Sequence, residues 1–177
     1  MIFESISPRP ERNFRLFYVL LFSVLISACD NSPKVIVTRV EETQYDKSKR
    51  LFKWVTPKLY RIILEESKNL PIKDPAHFIA CIIDAESEGK KTALGKKTRY
   101  GRARGLMQIM HFHVRKKDLN KLYDPKFNIS LGVKIFRGFL VSRKGDLVKA
   151  LKDYNSGPTS NYYNRPYINK ILLNYGR

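Results

Sequence analysis

The chain has 177 residues, 43% of them hydrophobic, which is enough for one globular domain and a tail. Its 34 Lys and Arg against 16 Asp and Glu give a formal net charge of +18. That charge favours nucleic acid, anionic lipid or cell-wall carboxylates as partners, with a merely solvated basic surface as the alternative. Two cysteines exclude a framework of several disulfides.

The N-terminus predicts export. Three arginines, Arg9, Arg12 and Arg15, precede an uncharged run from Leu16 to Cys29. The apolar core of this run is too short to span a bilayer comfortably, and it ends in small residues. Residues 1–28 are therefore predicted to be a signal peptide. They contain three arginines and two glutamates, so the mature chain keeps +17 of the +18. Export argues against a nucleic-acid partner.

The residues Ile26-Ser27-Ala28-Cys29 resemble the bacterial lipobox. This resemblance implies that Cys29 is acylated and that the protein is a membrane-anchored periplasmic lipoprotein. Asp30 resembles the inner-membrane retention signal of enteric lipoproteins, with the outer membrane as the alternative location. A plain signal peptide cut after Ala28, or a short uncleaved anchor, is the alternative. If Cys29 carries lipid, Cys81 has no disulfide partner and is expected to be a small buried residue.

Residues 29–50 are polar, without clear periodicity, and are predicted to be a tether. Residues 51–177 are predicted to form one compact, mainly α-helical domain with at most a minor β element. Helices are predicted to begin at Pro or Asp signals and to carry apolar residues at helical spacing. Their ranges are 57–68, 75–89, from 125 onward, from 146 to 154, and 165–175.

Glu86 lies on the second of these helices. Asp74 is the predicted N-cap, Pro75 suits the first turn and Gly89 suits the stop. The apolar stripe of this helix consists of Phe78, Ile79, Ile82 and Ile83. At about 100° per residue, Glu86 falls within roughly 10° of the centre of that stripe, whereas Asp84 and Glu88 fall near the opposite face. Desolvation raises the pKa of a carboxyl group, so Glu86 is predicted to hold a proton that it can donate.

The segment 89–104 contains seven basic residues and no acidic residue. Its three glycines make a helix improbable, so it is predicted to be a loop that leaves the end of the Glu86 helix. The loop is a candidate for binding stem-peptide carboxylates or anionic lipid headgroups, with a solvated loop as the alternative.

Five short motifs follow one another in a characteristic order: Ala85-Glu86-Ser87, Gly105 to Met110, Asp124-Pro125 with Asn128 and Gly132, Tyr154 to Pro158, and Pro166-Tyr167-Ile168. Over residues 75–177 this series resembles the catalytic domain of soluble-type lytic transglycosylases, which has a lysozyme-like fold. The resemblance implies cleavage of the β-1,4 bond from N-acetylmuramic acid to N-acetylglucosamine in peptidoglycan, with a 1,6-anhydromuramoyl end as the product.

By this resemblance Glu86 is the single catalytic acid and base, and the enzyme needs neither cofactor nor metal. His111 and His113, with only His77 besides, are too few to predict a metal site. Expected partners are peptidoglycan strands and the membrane, with envelope machinery as a further option; the protein is expected to be a monomer. The resemblance further assigns substrate contacts to Thr98, Gln108, Met110, Tyr154, Asn155 and Tyr167. The hydroxyl of Tyr154 is expected near the carboxyl of Glu86. Gly105 is expected in a turn, and Asn128 is expected to bond to the backbone.

Most glycosidases use two carboxylates, and sequence leaves Asp118 and Asp153 open as a second one. The chain also departs from the family pattern: Thr98 stands where serine is usual, His111 replaces a proline, and the segment between Glu86 and Gly105 is longer and more basic. Two alternatives stay open, a muramidase that admits water and a non-catalytic wall-binding component of an envelope or secretion apparatus.

Overall fold

The computed structural model describes residues 39–177, with side chains from Gln44 onward. The predicted signal peptide, Cys29 and Asp30 lie outside the described residues. The helices are α1 (Arg39–Leu51), α2 (Pro57–Ser67), α3 (Pro75–Ser87), α4 (Pro125–Ser142), α5 (Leu147–Ser156) and α6 (Arg165–Gly176). Two strands, β1 (Ala103–Arg104) and β2 (Ile109–Met110), pair antiparallel, and 3₁₀ helices cover His111–His113 and Lys116–Tyr123. The predicted mainly helical, lysozyme-like fold with a minor β element is confirmed.

Most helices begin where the sequence predicts, because the signals that start them are local. Thr56 accepts a hydrogen bond from the backbone N–H of Leu59, and Asp124 accepts one from Phe127, at N···O distances of 3.3 and 2.8 Å. Asp146 caps α5 in the same way. Each bond satisfies one of the amide groups that the first turn leaves without a partner.

Asp74 does not cap α3 with its side chain, and that prediction is wrong. Its backbone is left-handed, with φ of 45°, and its carboxylate instead accepts a hydrogen bond from the side-chain amide of Gln44 at 3.3 Å. The backbone carbonyl of Asp74 still accepts from Phe78, so the helix begins at Pro75 as expected. The carboxylate is diverted because α1 brings Gln44 beside it.

The helix α3 is the centre of the domain. It packs against α1, α2 and α6, while α4 packs against α2 and α5. The predicted stripe of Phe78, Ile79, Ile82 and Ile83 is fully buried, but the residues between them are buried as well. Because other helices pack around α3, its side chains are buried on more than one face, and an amphipathic stripe describes only part of this helix. The free thiol of Cys81 is buried as expected, and burial raises its pKa to about 12.

The predicted tether is partly helical: residues 39–50 belong to α1, which contacts α3. The hydroxyl of Ser48, fully buried, lies 2.9 Å from Nδ1 of His77. Nε2 of the same ring lies 3.1 Å from the carbonyl oxygen of Asn174 on α6. The buried imidazole thus connects three helices. Since these contacts join residues far apart in the chain, the local polar composition of the segment did not reveal the helix.

Among residues 39–177, no helix combines the length and hydropathy needed to cross a bilayer.

Candidate active site

Glu86 lies in the last turn of α3, where the chain leaves the helix sharply. Glu88 and Gly89 both have positive φ, 52° and 72°. A Cβ atom at Gly89 would lie 2.3 Å from the indole ring of Trp54, so this position accepts only glycine. The indole N–H of Trp54 donates to Asp84 at 3.1 Å. The end of the helix that carries Glu86 is therefore fixed from outside by a tryptophan.

The carboxyl of Glu86 is held by a tyrosine. The hydroxyl of Tyr167, on α6, donates to Oε1 of Glu86 at 2.7 Å. Burial raises the pKa of Glu86 to about 7, although the hydrogen bond from Tyr167 pulls in the opposite direction. Glu86 has no ion pair with a cation among the described residues, and it keeps partial exposure. With a pKa of about 7, the carboxyl is about half protonated at neutral pH, and it remains partly accessible to solvent.

Tyr154 lies near enough to Glu86 for the two side chains to interact electrostatically, as the resemblance implies, but it does not hydrogen-bond to the carboxyl. Its hydroxyl donates to the backbone carbonyl of Met107 at 2.8 Å, so the tyrosine bonded to Glu86 is Tyr167. Burial, and next the charge of Glu86, raises the pKa of both phenols well above the usual value. Both tyrosines consequently stay protonated and act as hydrogen-bond donors around the carboxyl.

The two acids flanking Glu86 have other partners, as the helical spacing predicts. Asp84 forms an ion pair with Lys170 at 2.9 Å besides its bond to Trp54. Glu88 pairs with Lys90 at 3.0 Å on the exposed surface. Neither carboxylate supplies a second acid beside Glu86, since each bonds to a cation on another part of the surface.

The segment from Gly105 to Met110 is fastened to the end of α3 and to α4. Ser87 donates to the carbonyl of Leu106 at 2.7 Å. Asn128 accepts from the backbone N–H of Met107 at 2.7 Å and donates to the carbonyl of Leu122 at 2.8 Å, which confirms its predicted role. Gly105 has a φ of 79°, and a Cβ atom there would lie 2.1 Å from the carbonyl oxygen of Leu122. These contacts make one rigid wall beside Glu86.

The remaining predicted substrate contacts occupy varied positions. The side-chain amide of Gln108 donates to the carbonyls of Gly105 and Ala93, at 2.8 and 3.4 Å. Thr98 is exposed at a turn, where its hydroxyl donates to the carbonyl of Gly101 at 2.9 Å. Each of these side chains therefore holds backbone in this structure, and their contacts with substrate stay predictions.

Met110 and Asn155 are both half-buried. Met110 ends β2, opposite Ala103. The Oδ1 atom of Asn155 accepts from the side chain of Asn164 at 3.2 Å, and Asn164 in turn caps α6 by accepting from the backbone N–H of Tyr167. The motif around Tyr154 is thereby linked to the helix whose tyrosine holds Glu86. Substrate contacts at Met110 and Asn155 stay predictions.

The two carboxylates left open by the sequence are both committed to cations. Asp118 pairs with Lys121 and Arg115, and these hydrogen bonds hold its pKa below the usual range. Burial opposes ionisation of Asp153, but the hydrogen bonds and charges of Arg143 and Lys152 outweigh it, so its pKa is also lowered. Both are structural anions with lowered pKa values, in contrast to Glu86, whose pKa is raised.

Sequence reasoning missed the parts played by Ser87 and Trp54. Ser87 follows Glu86 directly in the first motif, and that adjacency was the available signal. No sequence signal pointed to Trp54, because it bonds to Asp84, which lies thirty positions away in the chain. Within the part of the chain that the structure describes, no group of three His, Cys, Asp or Glu side chains is arranged to hold a metal ion.

Comparison with protein families gives one match. The model of the family described as "Transglycosylase SLT domain" matches residues 57–168. The match begins at the first residue of α2 and ends one residue beyond Tyr167, so it includes Glu86 and Tyr167 but not Trp54.

Proposed function

Because this chain belongs to the transglycosylase SLT domain family, which implies a transglycosylase-type function on peptidoglycan, we propose that it is an active lytic transglycosylase. The bond cleaved is the β-1,4 link from N-acetylmuramic acid to N-acetylglucosamine. The observation that carries the proposal is the carboxyl of Glu86, with a pKa raised to about 7, bonded to the hydroxyl of Tyr167.

In the first step Glu86 acts as a general acid. Its proton passes to the glycosidic oxygen as the bond from that oxygen to muramoyl C1 breaks, and N-acetylglucosamine leaves with a free hydroxyl. A carboxyl with an ordinary pKa would hold almost no proton at neutral pH. Burial without a cationic partner supports a raised pKa, which is the condition for this step.

In the second step the same carboxylate acts as a base. It accepts the proton of the muramoyl C6 hydroxyl while that oxygen bonds to C1, which closes the 1,6-anhydro ring and restores the acid. The hydrogen bond from Tyr167 strengthens when Glu86 is ionised and so stabilises the state between the two steps. Charge that develops at C1 is met by the substrate's own N-acetyl group and by neutral dipoles of the site.

Cleavage by water is less well supported. A hydrolase of the usual kind needs a second carboxylate, placed to activate water or to attack C1. Asp118 and Asp153 are ion-paired to lysine and arginine, and Asp84 to Lys170. With these three carboxylates committed to cations, an internal hydroxyl is the better supported nucleophile.

The test is the product spectrum of purified sacculi, measured by mass spectrometry after digestion by the wild type and by Glu86→Gln. We expect 1,6-anhydro ends from the wild type and a loss of about 10²–10⁴-fold in their rate of formation in the variant. Reducing muramic ends would instead identify a muramidase. Equal release by both proteins would remove Glu86 from the mechanism, and sacculus binding by both without release would identify a non-catalytic wall-binding component.

The proposal also includes the location of the enzyme. We expect acylation at Cys29 and attachment to the periplasmic face of a membrane, the inner membrane being favoured by Asp30. Support comes from the lipobox-like residues alone, which lie outside the described residues. Metabolic labelling with a palmitate analogue and fractionation of wild type beside Cys29→Ser provide the test. An unlabelled wild type, or a variant that stays in the membrane at unchanged size, contradicts acylation.

A further inference from the structure

The segment between α3 and the wall of the site is a basic hairpin, which we define as residues 90–104. The N–H of Gly95 donates to the carbonyl of Ala103, and Thr98 and Gly101 bond to each other around the turn. Because Ala103 and Arg104 also pair with β2, the hairpin is joined to the fold at its base. It is therefore an ordered projection with a fixed origin.

The cations of the basic hairpin are left without acids. Lys90 is paired with Glu88. The other six basic residues have no ion pair within residues 44–177, and five of them are exposed: Lys91, Lys96, Lys97, Arg99 and Arg102. Like charges at this density repel one another, and a structural role would be better served by mixed signs. This pattern is typical of a surface that binds anions.

Apolar side chains lie among these cations. Leu94 is 48% exposed and Tyr100, at the turn, is 58% exposed, with the guanidinium of Arg99 4.6 Å from its ring centre. A Cβ atom at Gly101 would lie 2.6 Å from His111, so the short helix His111–His113 packs beside the turn. That helix presents Phe112, which is 62% exposed. The hairpin thus exposes cations together with Leu94 near its base, where it pairs with Arg104, and Tyr100 at its turn, beside the helix that carries Phe112.

We propose that the basic hairpin and Phe112 form a contact surface for an anionic phospholipid bilayer. Lys and Arg are attracted to the negative surface potential, while Tyr, Phe and Leu enter the boundary between headgroups and acyl chains. A hydrated acidic polymer, such as peptidoglycan with its stem peptides, would satisfy the cations. It offers no apolar phase in which to bury Leu94, and this favours the bilayer. The inference is independent of the proposed reaction.

The test places a probe at the turn of the full chain. Tyr100→Trp reports the surroundings of position 100, and Trp54, the one natural tryptophan, supplies a background measured in the wild type. Because the readout is emission from position 100, attachment of the N-terminal segment to vesicles does not affect its meaning. With phosphatidylglycerol vesicles we expect a shift to shorter wavelength and quenching by brominated acyl chains. With phosphatidylcholine vesicles, and with Lys58→Trp on α2, we expect neither.

Charge is tested by two variants of equal net charge made in the Tyr100→Trp background. The first converts four hairpin residues to Gln: Lys96, Lys97, Arg99 and Arg102. The matched control converts four exposed cations of the helical body to Gln: Lys58, Arg61, Lys68 and Lys73. At roughly fivefold per basic residue, the four changes of the hairpin variant should lower the ratio of bound to unbound hairpin by about 600-fold. The control should lower it far less.

Three results would overturn the proposal. The first is absence of quenching in phosphatidylglycerol vesicles, or equal quenching in phosphatidylcholine. The second is an equal loss in both neutralised variants, which would reduce the effect to net charge. The third is an emission change with soluble stem-peptide-bearing glycan fragments but none with vesicles, which would identify the acidic polymer as the partner. Thermal unfolding of each variant separates these outcomes from failure to fold.

Discussion

The end of α3 and the corner between α4 and α5 each bury a carboxyl group, with opposite consequences. At the end of α3, Glu86 meets a phenol and no cation, and its pKa rises to about 7. At the corner, Asp153 is 1% exposed, yet Arg143 and Lys152 hold its pKa below the usual range. Burial is common to both sites. The presence or absence of a cationic partner separates a structural anion from a proton donor. A search for a catalytic acid should therefore examine the cations near each buried carboxyl before its exposed fraction.

The largest effect that would sharpen this comparison is the pH dependence of stability at Glu86. A carboxyl whose folded pKa is raised contributes fully below its unfolded pKa of about 4.5, and that contribution is lost as pH rises through about 7. Relative to wild type, Glu86→Gln should therefore gain about 3 kcal/mol in free energy of unfolding between pH 4 and pH 8. Urea denaturation across that range measures the difference. A constant difference would mean that Glu86 titrates normally.

The next largest effect is expected at the corner. Asp153→Asn leaves Arg143 and Lys152 without their anion, and we expect a loss of about 2–3 kcal/mol in the free energy of unfolding at pH 7. This is below the usual cost of about 3–5 kcal/mol for breaking a buried pair, because the side chain of Arg143 is 36% exposed and can turn to water. Since the pKa of Asp153 is lowered, the wild type loses this advantage as pH falls below about 4. Lys149→Gln, on the exposed pair with Asp146, is the matched control and should change little.

Tyr167→Phe is expected to change the pKa of Glu86 without adding or removing a charged residue. The hydroxyl of Tyr167 favours the ionised carboxylate, so its removal should raise the pKa of Glu86 further. The alkaline limb of kcat/KM should then move upward by about 0.5–1 pH unit, the equivalent of one hydrogen bond. Initial rates on glycan strands between pH 5 and pH 9 measure the shift. A limb that moves downward would contradict the assigned direction of this hydrogen bond.

Tyr154→Phe is the companion variant with the smallest expected effect. Its hydroxyl bonds to the carbonyl of Met107 and not to Glu86, so its loss should cost about 1 kcal/mol of stability. The alkaline limb should stay where the wild type has it. If both Phe variants move the limb equally, the two phenols act on Glu86 together, and the distinction drawn from their hydrogen bonds fails.

The predictable parts of the fold are those set by neighbouring residues. Thr56, Asp124 and Asp146 start helices through bonds three positions away, so their sequence signals suffice. The helix α1 escaped prediction because Ser48 is buried by His77, and Asp74 failed as a cap because Gln44 bonds to it. These contacts exist only once the chain has folded.

The same division holds at the site. The position of Glu86 relative to Asp84 and Glu88 follows from helical periodicity. Periodicity does not predict which tyrosine bonds to Glu86, because Tyr167 lies 81 positions away in the chain. Tyr154, which the resemblance places near Glu86, bonds to the carbonyl of Met107. The substrate contacts expected of Thr98 and Gln108 stay predictions; in this structure their side chains donate to the backbone carbonyls of Gly101 and Gly105.

The indole packed on Gly89 has a practical value for enzymology. It is the chain's only tryptophan, and its N–H is bonded to an aspartate two residues before Glu86. Excitation at wavelengths that tyrosine does not absorb therefore reports from one place, beside the terminal turn that bears Glu86. Occupancy by a glycan, or titration of that carboxyl, can be followed in real time on unlabelled protein through its natural emission.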